Sequence, residues 1–451
     1  MNEKRDFTQG RILLPLLKFA IPVLFALFLQ SMYGAVDLLV VGKFGDSVDV
    51  SAVSTGSQIM MTLTNLLCGL SMGTTIFLGQ KLGEGKTKLG GEIIGASIWL
   101  FALIGAVFTV MIPVGAKGLA ALMNAPAEAF DLTVNYIQIC GIGSIIIISY
   151  NLIGSIFRGI GDSKTPLVTV LIACVINIVG DLVLVAGFGM GTIGAAIATV
   201  LAQFISVVIS LALIRKQKLP FEFNKKSICP HGTIIKRVVI LGLPIALQDL
   251  LVGMSFLIIL AIVNNLGLAA SAGVGVAQKV CGFIMLVPSA FMQAMSAFVA
   301  QNVGAGRMDR AKRSLIYVIG VSFLFGVVMF YISFFHGQML SGIFAKDAEV
   351  LIQSAEYLKS YAVDCLFTCF LFCFIGFFNG VGYTRFVMVQ GIVGAFLVRV
   401  PVSFLMSKVE PVSLFRIGLA TPCSTVVQIF LCLGCLIVLN KNIKNEKKFI
   451  Q

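Results

Sequence analysis

The chain has 451 residues, 58 % of them hydrophobic and only 12 % charged, with a formal charge of +13 and a mean hydropathy of +1.01. That charged share is about half the usual one for a soluble protein, too little to cover a water-exposed surface but enough for a bilayer-embedded one. A soluble enzyme, a disordered chain and a nucleic-acid reader are excluded, because the 33 Lys and Arg crowd into short segments between apolar runs and form no basic stripe with interleaved aromatics.

A charged opening with Lys4, Arg5 and Arg11 leads into an apolar run too long for a signal-peptide core and without a small-residue cleavage pattern. It is read as a retained first membrane helix. In all, twelve stretches are long enough to cross a hydrocarbon core: 14–41, 53–78, 92–114, 135–157, 166–188, 192–214, 238–264, 277–300, 314–335, 358–379, 386–406 and 413–439. A spanning segment must satisfy its backbone groups internally, and short alternating barrel segments are not seen, so the expected fold is an all-α polytopic membrane protein.

Basic residues follow the even-numbered runs. Lys81, Lys86 and Lys88 follow the second, Arg158 and Lys164 the fourth, and Arg215, Lys216, Lys218, Lys225, Lys226, Lys236 and Arg237 the sixth. Arg307, Arg310, Lys312 and Arg313 follow the eighth, and Lys441, Lys444, Lys447 and Lys448 the last; the other connections carry little beyond Lys43, Lys117, Lys346 and Lys408. Positive charge marks the cytoplasmic side, so both termini are expected there, in a plasma (inner) membrane.

The chain repeats itself. Gln80-Lys-Leu-Gly-Glu-Gly-Lys86 reappears as Gln301-Asn-Val-Gly-Ala-Gly-Arg307, and Phe157-Arg-Gly-Ile-Gly161 as Phe378-Asn-Gly-Val-Gly382, both 221 positions on. Ile21-Pro22 matches Leu243-Pro244 at 222. Six helices per repeat start both halves on the same side, giving parallel repeats. The expected organisation is a six-helix bundle over 1–214, a cytoplasmic linker over 215–236, a second bundle over 237–439 and a basic tail over 440–451. Six plus six helices suit alternating access.

Most Cys residues lie in apolar runs, where they act as small hydrophobes. Cys365, Cys369 and Cys373 share a helical face beside Asp364, which packing explains more simply than a metal. Two His, His231 and His336 in connections, give no basis for a His metal site or a catalytic triad. Gly83-Glu-Gly-Lys-Thr87 resembles the end of a phosphate-binding loop, but Gln80 stands where its first Gly belongs and no strand precedes it. It is read as a tight turn whose glycines let the backbone reverse. Without a nucleotide site, active transport must draw on an ion gradient.

Acidic residues inside apolar helices are costly and usually functional. Asp37 lies about 6 Å inside the outer end of the first run, and Asp181 and Thr199 about 10 Å inside those of the fifth and sixth. Asn177 is one turn from Asp181, and Tyr33 one turn from Asp37. Two carboxylates, an amide and a hydroxyl make an oxygen-rich cage fit for a proton or Na⁺; the alternative is that each Asp only ties its helix to a neighbour. The repeat counterparts of Asp37 and Asp181 are Ile259 and Val402, so the ion site is expected in the first bundle alone. In the second, Asp364 and Arg399 are read as a structural ion pair, with a substrate or ion role as the alternative, Asp249 with Gln248 as facing a central cavity, and Lys279 as snorkelling. Abundant Met and Phe suit promiscuous apolar ligands.

The chain resembles the multidrug and toxic compound extrusion (MATE) family of cation-coupled antiporters. The likeness rests on Ala20-Ile-Pro22, Val36-Asp37 with Val41-Gly42, Gln80-x-x-Gly83, Arg158-Gly-x-Gly-Asp162, Asn177-x-x-x-Asp181 and Leu241-Gly-Leu-Pro244. It implies a V-shaped pair of six-helix bundles, not an enzyme and without a cofactor, that exchanges cationic or amphipathic drugs for Na⁺ or H⁺. It implies a cation site of Tyr33, Asp37, Asn177, Asp181 and Thr199, with Asn151 and Tyr136 as further polar members. Another subgroup places acids in the seventh and tenth helices, where Asp249 and Asp364 are nearest. A monomer is expected. The rival readings are a lipid-linked saccharide flippase, a major-facilitator-type antiporter, and a channel or receptor.

Overall fold

The computed structural model describes residues 7–216, 219–221, 223 and 227–450, without the side chains of 216 and 443–450. Lys4, Arg5, Lys218, Lys225 and Lys226, and the side chains of Lys216, Lys444, Lys447 and Lys448, lie outside the described residues. All twelve apolar runs are helical, and no strand occurs among the described residues. The helices are α1 (Leu13–Phe44), α2 (Ser47–Gly83), α3 (Thr87–Leu122), the pair α4 (Ala127–Ile142) and α5 (Ser144–Gly159), α6 (Lys164–Gly187) and α7 (Gly191–Arg215). They continue with α8 (Gly232–Asn264), α9 (Leu268–Gly304), α10 (Met308–Phe335), α11 (Ala348–Val381), α12 (Thr384–Met406) and α13 (Leu414–Asn442). The fourth predicted run is the α4–α5 pair, bent by 55°.

The helices overrun the predicted spans at their polar ends. At 37 residues, α2 is about 55 Å long, well beyond a hydrocarbon core of about 30 Å. Asp46 and Asp49 cap its start reciprocally. Asp49 also accepts from the Thr192 amide at 2.9 Å and the Thr192 hydroxyl at 2.6 Å, which ties the start of α2 to that of α7. The start of α6 is closed by Asp162, which accepts from the amides of Lys164 at 3.0 Å and Thr165 at 3.2 Å. The acid of the Gly161-Asp162 motif is therefore occupied as a helix cap.

The chain divides into two compact units, residues up to Ala246 with Ala300–Met308, and Leu247–Val299 with residues from Asp309 onward. In the first, α2 is central: its best apolar window is 56 % buried, against 22 % for α1. Leu67, Met72, Ile76 and Leu78 of α2 pack with Ile93 and Phe101 of α3 and Ile148 and Leu152 of α5. In the second, α11 is the most enclosed, with 72 % of its window buried; Tyr357, Leu358, Tyr361 and Cys365 pack on Val274, Ala277 and Cys281 of α9. Leu39, Val114 and Leu268 remain exposed, as lipid-facing side chains do.

The repeated glycine motif differs in part from its reading as a turn. Gly85 and Gly306 do reverse the backbone, with φ of +74° and +71°, a region costly for other residues. Gly83 and Gly304 instead are contact points between helices. A Cβ at Gly83 would land on the Gln301 carbonyl oxygen, and one at Gly304 on the Gln80 carbonyl oxygen. The two copies of Gln-x-x-Gly thus meet each other, each glycine against the glutamine backbone of the other. Lys86, the lysine of the phosphate-loop look-alike, pairs with Glu84 at 2.9 Å, as does Lys81 at 2.6 Å. Burial raises the Glu84 pKa, but the two ammonium groups outweigh it and hold the carboxyl below its ordinary range.

The cysteines are free thiols, and no cluster able to hold a metal occurs among the described residues. The Cys369 thiol donates to its own helix, at the Cys365 carbonyl 3.1 Å away, and presses on Gly326 of α10.

Candidate cation site

Four helices of the first unit bring polar groups to one point. α1 supplies Asp37, 4 % exposed; α6 supplies Asn177 and Asp181, both fully buried; α7 supplies Thr199. The Thr199 hydroxyl reaches Asp37 Oδ2 at 3.3 Å and the Ala195 carbonyl at 3.0 Å. The Asp37 carboxyl lies beside those of Asp181 and the amide of Asn177. From α4 come Tyr136, adjacent to both acids and to Thr199, and Cys140, adjacent to Asp37. Tyr33 of α1 adjoins Asp37 on one side and Tyr150 on the other.

The local sequence explains the grouping. Asn177 and Asp181 are four apart and share one face of α6, which is the face that packs inward. Directly after Asp181 the helix widens to a π-helical stretch, Leu182–Gly187, with the Phe188 amide bonded to the Val183 carbonyl at 3.0 Å. Such widened turns are frequent at functional sites. The bend between α4 and α5 leaves Tyr136 buried on α2. A Cβ at Gly56 would stand 2.5 Å from the Tyr136 ring.

The polar groups are not satisfied within the protein. Asp37 Oδ1, both Asp181 oxygens, both polar atoms of the Asn177 amide and the Tyr33 hydroxyl have no hydrogen-bond partner among the described residues. Buried polar atoms are normally paired, and two side-by-side buried carboxylates repel one another. No Lys or Arg approaches them among the described residues. The donor set, carboxylate, amide and hydroxyl oxygens, is one that suits a hard cation, and a proton shared by the acids meets the same electrostatic need.

Asn151 is held elsewhere. Its amide donates to the Ile147 carbonyl at 2.8 Å and its oxygen accepts from the Cys68 thiol at 3.0 Å. In the second unit, Asp364 is 3 % and Arg399 6 % exposed. The ion pair expected between them is not closed: Asp364 Oδ2 accepts from Thr368 at 2.9 Å, while Arg399 donates to the Ser255 hydroxyl at 3.1 Å and lies 4.5 Å from the Phe256 ring centroid. Ser255 and Phe256 draw the guanidinium to α8, and Thr368 keeps the carboxyl on its own helix. Asp249 is exposed on α8, whereas Gln248 is buried against Gly391. Lys279 is exposed on α9.

The MatE family profile matches the chain twice, over residues 22–183 and 244–405. The chain belongs to the MatE family. The two matches start 222 residues apart, the spacing between Pro22 and Pro244. Among relatives of this MatE chain, the probable multidrug resistance protein YoeA of Bacillus subtilis is 26 % identical over 432 residues, covering 92 % of this chain and 91 % of that one. The multidrug export protein MepA of Staphylococcus aureus is 23 % identical over 405 residues, covering 89 % and 88 %. A solved structure described as the outward-facing conformation of a multidrug resistance MATE family transporter superposes with a TM-score of 0.91 at 19 % identity, over 98 % of this chain and 99 % of that one; it shares the all-α fold.

Sequence reading missed Cys140 and the π-helical turn. Cys140 carries a signal, being one helical turn from Tyr136; the π turn carries none in the residue pattern. The tight Gly56–Tyr136 contact makes a prediction for this MatE protein. Gly56→Ala should push the Tyr136 ring away from Thr199 at an overpacking cost of about 1–3 kcal/mol. A lower melting temperature is the expected result, checked by thermal unfolding of the detergent-purified variant beside the unaltered protein.

Proposed function

We propose that this protein is a secondary active transporter that exports cationic or amphipathic compounds across the plasma membrane in exchange for Na⁺ or H⁺, with both termini cytoplasmic. The observation that carries the reading is the pair of buried acids, Asp37 and Asp181, held side by side with no protein cation beside them among the described residues and five of their own and Asn177's polar atoms unpaired. Such a pair is stable when a proton or a metal cation joins it and unstable when both acids are charged and bare. Cation occupancy therefore decides how α1 and α6 pack against α7. Cargo that favours the cation-free packing lowers cation affinity, and by linkage the cation lowers cargo affinity by the same factor. Asp37 and Asp181 bear the charge, Asn177 and Thr199 complete the oxygen shell, and Tyr33 and Tyr136 flank it. The names of the relatives, multidrug resistance and multidrug export, support an exported drug as the cargo.

The test is ethidium efflux from proteoliposomes under an imposed Na⁺ gradient, then an imposed pH gradient. One of the two is expected to drive efflux above the rate seen with no gradient. Equal rates under all three conditions would remove the antiport reading.

A further inference from the structure

The first unit also holds a positive charge with no acid bound to it among the described residues. Arg158, read from the sequence as following the fourth apolar run, stands in the last turn of α5. Helical side chains lean toward the start of their helix, and this one lies back along α5, whereas Lys164 of the same connection is exposed. Arg158 Nη1 is 3.3 Å from the point that a Cβ on Gly154 would occupy, so the guanidinium sits about one turn, or 6 Å, inside its own Cα. Tyr150, Gly154 and Arg158 are four apart and share one face of the helix. What holds the guanidinium is neutral. Nη2 donates to the Ser155 hydroxyl at 2.8 Å, that hydroxyl is 2.6 Å from the Ser71 hydroxyl of α2, and Thr75 of α2 donates to the Ser155 carbonyl at 2.8 Å. No carboxylate pairs with Arg158 among the described residues. Asp162, the nearest acid in the chain, serves as the cap of α6, and the Cys68 thiol keeps its proton, which it donates to the Asn151 oxygen at 3.0 Å.

We propose that Arg158, with the Tyr150 hydroxyl, is the seat for a carboxylate of the cargo, so that the protein takes amphipathic compounds carrying a negative group beside their positive one. The proposal rests on the reading of the protein as a drug exporter and narrows its cargo. Arg158 Nε and the Tyr150 hydroxyl are buried with no hydrogen-bond partner among the described residues, while Arg158 as a whole is partly exposed. The side chain is thus held from behind by the α2–α5 seam and presents unfilled donors at the edge of an accessible space. A charge kept at such a depth is ordinarily given an acid or turned out to water, and here neither is done. A guanidinium offers its donors in one plane, which matches the two oxygens of a carboxylate, and a phenol is a neutral donor to the same group. One arginine balances one negative charge, as a single carboxylate brings.

Two dyes test this seat: a rhodamine with a free carboxylate and its methyl ester, which share one cationic ring system and differ only in the anion. Binding of each to the detergent-purified full chain is read by fluorescence polarisation, with no ion gradient present. The unaltered protein should bind the acid at least as tightly as the ester. Arg158→Gln should raise the ratio of acid Kd to ester Kd about tenfold, the worth of a hydrogen bond to a charged group, and Tyr150→Phe about threefold. Folding of each variant is read from an unchanged gel-filtration profile. A ratio that stays in place in folded Arg158→Gln, whether or not both affinities fall, overturns the proposal and leaves an arginine that only ties α5 to α2. If Arg158→Gln does not fold, the other two proteins decide: acid bound more weakly than ester by the unaltered protein, or a ratio that Tyr150→Phe leaves in place, overturns it. Binding of neither dye by the unaltered protein removes the drug-export reading along with the seat, whereas ester binding with an unmoved ratio removes the seat alone.

Discussion

Asp181→Asn is expected to reduce gradient-driven ethidium efflux to the level of protein-free vesicles, and Asp37→Asn to do the same. Each substitution keeps the shape of the side chain and replaces a carboxylate with a neutral amide, which takes up no proton and brings no negative charge to balance a cation. The pair then carries one negative charge at most, and its occupancy no longer differs between cargo-bound and cargo-free packing. A ligand that does not discriminate between two states shifts nothing. Folding should survive, because the Asp181 carboxyl has no hydrogen-bond partner among the described residues and the Asp37 carboxyl receives only the long one from Thr199, 3.3 Å. Removing a buried charge also relieves repulsion, so the melting temperature should hold or rise. The measurement is efflux alongside thermal unfolding of the same preparations. Retained efflux in both variants would end the assignment of the site; loss of efflux with loss of folded protein would show the acids to be structural.

Gly83→Val and Gly304→Val are expected to have the largest effects on folding. Each side chain would enter the space of a backbone carbonyl oxygen, Gln301 for one and Gln80 for the other. A flexible side chain can swing aside, but a helix backbone cannot. The cost should therefore exceed the roughly 1–3 kcal/mol of ordinary overpacking. Gly85→Ala is the internal contrast, because nothing lies within 4 Å of its Cβ and only its φ of +74° opposes substitution. Gel-filtration yield of detergent-extracted protein should rank Gly83→Val and Gly304→Val far below Gly85→Ala. Comparable yields from all three would mean that the paired contact is loose.

The residues of the Gln-x-x-Gly motif show what a sequence does and does not disclose. Its repetition at 221 residues was plain, and so was the need for small residues, but the reason for them was not. A turn and a helix crossing ask for the same amino acid, one for its backbone freedom and the other for its missing side chain. Only the positions of Gln80 and Gln301 separate the two. Asp364 and Arg399 teach the same lesson from the other direction. Equal depth in neighbouring helices predicts a contact, yet rotation about each helix axis and the local partners Thr368, Ser255 and Phe256 hold the charges apart. Asn151 likewise lies in the right helix, but bonds to Cys68 and Ile147.

By itself the sequence determined the apolar runs, their helical character and order, and the duplication of the half-chain, because backbone groups in lipid leave no choice but helix and because apolar length measures a span directly. It also singled out Asp37, Asn177 and Asp181, since charge in an apolar run is conspicuous and a spacing of four fixes a shared face. Only the tertiary structure decided which of these groups meet. It turned α1, α4, α6 and α7 so that two acids stand together with no Lys or Arg beside them among the described residues, and it held Arg399 on Ser255 and Phe256 and Asp364 on Thr368. Those outcomes depend on helix rotation, a 55° bend and widened turns, which arise from packing between segments far apart in the chain and leave no periodic trace in any one of them.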